Sequence, residues 1–247
     1  LDIFFDPSIL ATLAVLAFST TIRSVFGFGD ALIAMPLLAM ILGLKTATPL
    51  VALIAFTIAT IILLSTWRSL KVRSAFRLII STMVGIPLGI VLLKGVDERI
   101  MQFLLACVLL LFSGFNLSNL VVPKLKSEKS SYLFGFVAGL LGGAYNTNGP
   151  PVVLFASMRD WPPAEFRATL QGYFFVTGFM LLSAHALGGL WNQRVFTLYG
   201  LSLPVVIISI WLGSKLHKKV SPEKFRKAIH ILLVLIAAML LFKALSG

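Results

Sequence analysis

Gly142-Gly143-Ala144-Tyr145-Asn146-Thr147-Asn148-Gly149-Pro150 is a glycine-rich, polar run between two apolar segments that are too short to cross a membrane. Tyr132–Tyr145 before it has 14 residues and would rise about 21 Å as a helix. Val152–Met158 after it has 7 residues and would rise about 10 Å before Asp160-Trp161-Pro162-Pro163 ends it. The hydrocarbon core of a bilayer is about 30 Å thick. Ile9–Ile22 and Ala31–Leu44 repeat the pattern around the joint Gly27-Phe28-Gly29-Asp30. Two short helices meeting at a polar tip fit each case. Backbone that leaves the helix at membrane depth is tolerated only where protein or water satisfies it, so both joints are expected to face an internal cavity.

The rest of the chain is as apolar. Of 247 residues, 58% are apolar and 12% charged, where a soluble domain carries about 25% charged residues. That excludes disordered, collagenous, coiled-coil and disulfide-scaffold classes and speaks against a soluble enzyme. Six further segments are long enough to span: Ala47–Thr66, Leu78–Leu93, Ile100–Val122, Ala168–Leu190, Phe196–Leu216 and Ala228–Leu245. The net charge of +12 lies in the gaps between apolar runs, not on one face of a soluble module, so no nucleic-acid partner is expected. Cys107 lies inside an apolar run and has no second cysteine to pair with. The acidic start, Leu1-Asp2-Ile3-Phe4-Phe5-Asp6-Pro7, lacks the basic region of a cleavable signal peptide.

The two halves read as copies. Gly29 and Pro36 match Gly143 and Pro150 at an offset of 114, Ala47-Thr48 matches Ala168-Thr169 at 121 as Arg73 matches Arg194, and Glu98 matches Glu223 at 125. The domains expected are a first repeat, 1–122, a basic cytoplasmic linker, 123–131, and a second repeat, 132–247. Loop charge tests the repeat independently. Arg68, Lys71, Arg73 and Arg77 crowd one loop whose counterpart holds only Arg194. Lys94, Asp97, Glu98 and Arg99 balance in the next loop, whose counterpart holds Lys215, Lys218, Lys219, Lys224, Arg226 and Lys227 against Glu223. With basic loops on the cytoplasmic side, the second copy is inverted and both chain ends lie outside. Inverted repeats with interrupted short segments at matching places are the sequence pointer to the binding site of a secondary transporter.

Arg23 and Asp30 are the charges nearest the first tip. A charge at membrane depth costs about 2.5–3.5 kcal/mol on insertion scales, so such residues are functional or paired. Arg23 is read as attracting an anionic substrate, helped by the N-termini of half-helices starting at Ala31 and Val152. The plain alternative is a structural Arg23–Asp30 ion pair, and Asp30 is also read as a proton-coupling group. Asn146, Thr147, Asn148 and Gly149 offer amides, a hydroxyl and open backbone at the second tip, or else form an ordinary interfacial turn. Arg167 and Gln171 share a face one helical turn apart and complete the substrate-binding candidates; Arg167 also reads as a cytoplasmic interface marker. Tyr173 is a weaker candidate. His185 reads as an interfacial or hydrogen-bonded buried histidine, and His217 and His230 lack partners at metal spacing. Trp67, Trp161 and Trp191 read as interface anchors.

No G-x-S-x-G, H-E-x-x-H, P-loop or dinucleotide fingerprint is present, so no enzyme and no cofactor is expected, and uphill transport needs an ion gradient or a separate partner. Gly27-Phe28-Gly29-Asp30-Ala31-Leu32-Ile33-Ala34-Met35-Pro36-Leu37-Leu38 resembles the first-repeat motif of the TauE/SafE family of sulfite-exporter-like permeases. Gly139-Leu140-Leu141-Gly142-Gly143, running into Asn148-Gly149-Pro150-Pro151, resembles the second-repeat motif. The resemblance covers essentially the whole chain. It implies carriage of sulfur-containing anions such as sulfite, thiosulfate or organosulfonates, for example sulfoacetate, across the bacterial inner membrane. Asp30 is a departure, because many members continue the first motif with another glycine.

The expectation is therefore an all-α integral membrane protein of two inverted repeats, each an interrupted short-helix hairpin plus three transmembrane helices. It is a multi-pass secondary transporter working by alternating access. Its partners are a small sulfur-containing anion, the lipid bilayer and a coupling ion, proton or sodium. A homodimer is left open. A passive anion channel and a non-catalytic membrane subunit are the rival readings.

Overall fold

The computed structural model describes residues 6–66, 72–118, 124, 125, 127, 129–159, 163–216 and 222–246, without the side chains at 65, 66, 72–74, 163–165, 167 and 222–226. The described residues form helices and no strands: α1 (Pro7–Phe26), α2 (Asp30–Leu42), α3 (Leu44–Thr66), α4 (Val72–Gly95), α5 (Glu98–Leu117), α6 (Ser130–Tyr145), α7 (Gly149–Met158), α8 (Pro163–Leu187), α9 (Gln193–Leu216) and α10 (Pro222–Ser246). Seven of these, α1, α3, α4, α5, α8, α9 and α10, are long and apolar enough to cross a membrane. They include all six long segments read from the sequence. The loop residues Arg68, Lys71, His217, Lys218 and Lys219, and the aromatics Trp67 and Trp161, lie outside the described residues, as do the side chains of Arg73, Glu223, Lys224 and Arg226.

The first segment differs from its sequence reading. It extends from Pro7 to Phe26, 20 residues, which rise about 30 Å, enough to span. Its polar stretch does not break the helix because the hydroxyls bond back along it: Thr21 to the Ala17 carbonyl and Ser24 to that of Thr20, each at 2.8 Å. The other short elements keep their character. α2 has 13 residues and α7 has 10, rising about 20 Å and 15 Å.

Local chemistry sets the ends of the hairpins. Asp6 accepts from the Ser8 N–H at 2.8 Å and starts α1. α1 ends on Gly27 (φ 88°), and Gly29 (φ 102°) precedes α2; both are left-handed conformations that glycine adopts freely. α6 ends on Asn146, at φ 51° the one described non-glycine residue with positive φ. Asn146 stands 119 residues after Gly27, and Asn148 before α7 stands 119 after Gly29. The offset of 114 is therefore corrected: Gly143 lies inside α6 and Pro36 inside α2, so those matches do not occupy equivalent places. The turn needs a positive φ, which asparagine supplies in one half and glycine in the other.

The packing crosses between halves. α1 lies along α9 and α4 along α6, while α3 packs on α8 and α5 on α10. Exchanging the first five helices for the last five reproduces each of these pairings. The α4–α6 approach is close because Gly85 and Gly89 face Gly139 and Gly143; a Cβ on Gly139 would collide with the Thr82 carbonyl oxygen, and one on Gly143 with that of Ile86. Large apolar side chains such as Leu64, Leu111, Phe179 and Phe242 point outward, and the polar ones turn in: Thr12, Ser19, Thr20, Arg23, Asp30, Asn148 and Gln171 are buried. A lipid-facing exterior produces that inversion.

Candidate functional site

Arg23 occupies the last turn of α1 and is only 2% exposed. Its Nη1 donates to Asp30 Oδ2 at 2.8 Å, and its Nη2 donates to Gln171 Oε1 at 3.3 Å. The guanidinium carbon lies 5.0 Å from the centroid of the Phe174 ring, which adds a cation–π contact. Nε–H of Arg23 is buried with no hydrogen-bond partner. Gln171 donates in turn to the Gly27 carbonyl at 2.6 Å, so one α8 side chain fixes both the cation and the turn beneath it.

The second tip is held by the same helix. Asn148 Nδ2 donates to Thr177 Oγ1 at 3.2 Å, and Thr177 donates to the Tyr173 carbonyl at 2.8 Å. Thr147 is folded onto its own turn, donating to the Tyr145 carbonyl at 2.9 Å. Gln171 and Thr177 are separated by six residues of α8, a rise of about 9 Å. α8 thus sets the spacing of the tips.

Between them lies a cleft whose empty space, counted out to its mouth, is about 450 Å³. The first tip lines it with Arg23, Phe28, Gly29, Asp30, Ala31 and Leu32, and the second with Asn146, Thr147, Asn148, Gly149 and Pro150. Ala52, Ala55 and Phe56 of α3 and Phe174, Gly178 and Leu181 of α8 form its walls. A Cβ at Gly149 would meet nothing nearer than the Phe174 ring at 3.8 Å, so the cleft is open there. Both tips also present a helix start. The first-turn N–H groups of α2 have no partner within the helix and favour negative charge. Pro150 and Pro151 remove two such donors from α7.

The sequence candidates divide accordingly. Arg23, Asp30, Asn146, Thr147, Asn148 and Gly149 converge on one cleft. Gln171 supports it from behind. The helix starts expected at Ala31 and Val152 are at Asp30 and Gly149. The side chain of Arg167 lies outside the described residues. Tyr173 points away, with its hydroxyl 2.7 Å from that of Thr82. His185 is fully buried but makes no hydrogen bond of ordinary geometry, although the Gly143 backbone lies close. His230 meets Phe112 edge-on at 5.4 Å, and Trp191 packs on Phe196 in the same way. Among the described residues no three His, Cys, Asp or Glu side chains cluster as metal ligands. Phe174, Thr177 and Gly178 were missed. They follow Gln171 at three, six and seven residues, so extending the helical face already used for Arg167 and Gln171 would have found Phe174 and Gly178 but not Thr177.

Chemically, the cleft pairs a desolvated cation and bare helix N–H groups with two neutral amides and an aromatic wall, the donor set for a small anion with an apolar flank. Residues 11–240 match the family profile described as Sulfite exporter TauE/SafE. A probable sulfite/organosulfonate exporter TauE from Cupriavidus necator is 26% identical over 249 aligned residues, covering 97% of this chain and 96% of that protein. No solved structure matches this chain.

Proposed function

The chain belongs to the TauE/SafE sulfite exporter family and is a multi-pass protein of the bacterial inner membrane, and from that premise we propose that it is a secondary carrier of small sulfur-containing anions. Sulfite, thiosulfate and organosulfonates such as sulfoacetate are the substrates that fit the relative's name and the donor set together. One observation carries the reading. A guanidinium buried in the protein borders an open cleft with one N–H unused, and the same cleft is lined by asparagines of a second interrupted hairpin. A charged donor left buried without its partner is costly, and an anion in the cleft supplies that partner.

Two inverted copies, 1–122 and 132–247 joined by 123–131, provide the moving parts. The caps 119 residues apart and the exchange of helices between halves support this. Alternating access is then rocking of one helix group against the other about the two tips. In this scheme Arg23, Asp30, Asn146, Thr147, Asn148 and Gly149 contact substrate, Gln171 positions Arg23, and Arg167, four residues before Gln171, is assigned a substrate or gating role.

Counterflow in proteoliposomes tests it. Vesicles loaded with unlabelled sulfite should transiently accumulate labelled sulfite from outside, saturably, and without competition from chloride. Arg23→Ala and Asn148→Ala should both reduce the effect. Flux that rises linearly with concentration and shows no counterflow would make the protein a channel. Normal counterflow in both variants would move the site away from the tips, with Arg167 next to be tested.

A further inference from the structure

We propose that each anion binds together with one proton, and that the proton is carried by Asp30. The inference rests on the anion-carrier reading and extends it to the coupling ion. Asp30 already does what an anionic substrate would do. Its carboxylate accepts from Arg23 at 2.8 Å, sits in the first turn of α2 where the helix field favours negative charge, and borders the cleft. The unloaded site is thus neutral, one cation against one built-in anion.

An anion that enters must share Arg23 with that carboxylate. Two negative charges on one guanidinium, inside a wall of Phe28, Phe56, Phe174 and Leu181, leave an uncompensated buried charge. Among buried apolar side chains that is expensive. A proton taken from water onto the Asp30 carboxylate restores neutrality. It also converts an acceptor into a hydroxyl donor that the anion can use. Arg23 then passes from the carboxylate to the substrate, and the unpartnered Nε–H joins the same ligand. Sodium does not fit this position, because the carboxylate faces a guanidinium and a cation there would be repelled at short range.

Among the described side chains the charged group in contact with Asp30 is Arg23. α8 presents Gln171 and Phe174, which are neutral. On α3, Lys45 is exposed at the opposite end of α2, and Glu98 of α5 accepts from Leu44 N–H at that same end, at 2.7 Å. α10, which packs on α2, carries His230, whose ring meets Phe112 edge-on, and Lys243, which donates to the Met40 carbonyl at 2.9 Å, far from the tip.

Linkage makes the effect reciprocal: protonation strengthens anion binding by the same factor by which the anion favours protonation. The ligand to use is methanesulfonate, whose charge does not change across the working range, so any pH dependence belongs to the protein. Its affinity for the purified protein, followed by calorimetry, should rise about tenfold for each unit of pH lowered near neutrality. In weak buffer with an indicator dye, one proton should be taken up per anion bound. Asp30→Asn should bind at least as tightly as the unaltered protein at low pH, with a flat pH profile and no proton uptake. Binding by the unaltered protein without proton uptake, or binding that needs sodium, would overturn the inference and leave the carrier standing. The dye measurement needs no variant, so it decides the matter even if Asp30→Asn fails to fold. If no sulfonate or sulfite binds at all, the carrier reading fails first and the inference falls with it.

Discussion

The two tips share one left-handed turn and divide the chemistry. Each ends its first helix on a residue of positive φ, Gly27 or Asn146, and each docks on α8. The first tip carries Arg23 and Asp30, locked by Gln171. At the same 119-residue offset, two short of the 121 that matches Ala47-Thr48 with Ala168-Thr169, the corresponding positions are Gly142, Gly149 and, on α3, Ala52. Three polar side chains on one side are matched by two glycines and an alanine on the other, and Gly149 and Ala52 border the open cleft. The aromatic pair at this offset is kept: Phe56 and Phe175 stack on each other, with centroids 5.3 Å apart. On the proposed reading, such a site departs from symmetry in its side chains while the helix pairings stay symmetric. One half supplies charge, and the other supplies room and neutral hydrogen bonds.

Breaking the charged side should have the largest effect. Arg23→Ala leaves Asp30 as an unpaired buried carboxylate, and we expect a loss of about 3–5 kcal/mol of stability with no anion binding. Removing both members, Arg23→Ala with Asp30→Ala, should restore much of the melting temperature, because the uncompensated charge is gone, while binding stays lost. Thermal melting in detergent with and without sulfite separates the two effects. If the double variant still responds to sulfite, the charged tip is not the anion site.

Filling the open side tests the other half of the comparison. Ala52→Gln puts back on α3 the side chain that α8 carries at Gln171, directly into the cleft. Overpacking costs about 1–3 kcal/mol where space is tight, and Ala52 is buried, so a loss in that range is expected. Counterflow should nevertheless fall to background with the Arg23–Asp30 pair untouched. Retained counterflow would show that substrate does not enter between the tips.

The long spans and the polar joints were legible because hydropathy and glycine-rich interruptions are local signals. Where the joints turn was legible only in part. Gly143 was aligned with Gly29 because like was matched with like, whereas the helix starts pair Gly29 with Asn148, of which only Gly29 is left-handed, and Asn146 stands where Gly27 does. Either residue tolerates the left-handed region, so identity is a poor guide to that position. The first segment read short because Arg23 closes its apolar run after Ile22, although that charge is paired with Asp30 inside the protein. Of the site, charged and amide residues stood out one by one. The docking of both tips on α8 did not, because Gln171 to Gly27 and Asn148 to Thr177 join residues distant in sequence. Phe174 was passed over because an aromatic in an apolar helix has no mark of function until a guanidinium lies over it.

The neutral tip should respond more mildly, in two steps. Asn148→Ala removes the bond to Thr177, whose hydroxyl still donates to the Tyr173 carbonyl, so about 0.5–1.5 kcal/mol of stability is at stake. Sulfite affinity should fall as well, because the amide borders the cleft. Thr177→Val is the finer cut. It removes the same bond from the other side and leaves the Asn148 amide in place, free to turn toward the substrate. We expect a loss of no more than about 1 kcal/mol of stability and an anion affinity within a few-fold of the unaltered protein. The comparison then reads directly from melting curves and sulfite titrations of the two variants. If Thr177→Val weakens binding as much as Asn148→Ala does, the amide acts only by holding the tip to α8. If it weakens binding much less, Asn148 touches the anion itself, and the neutral half recognises substrate as well as making room for it.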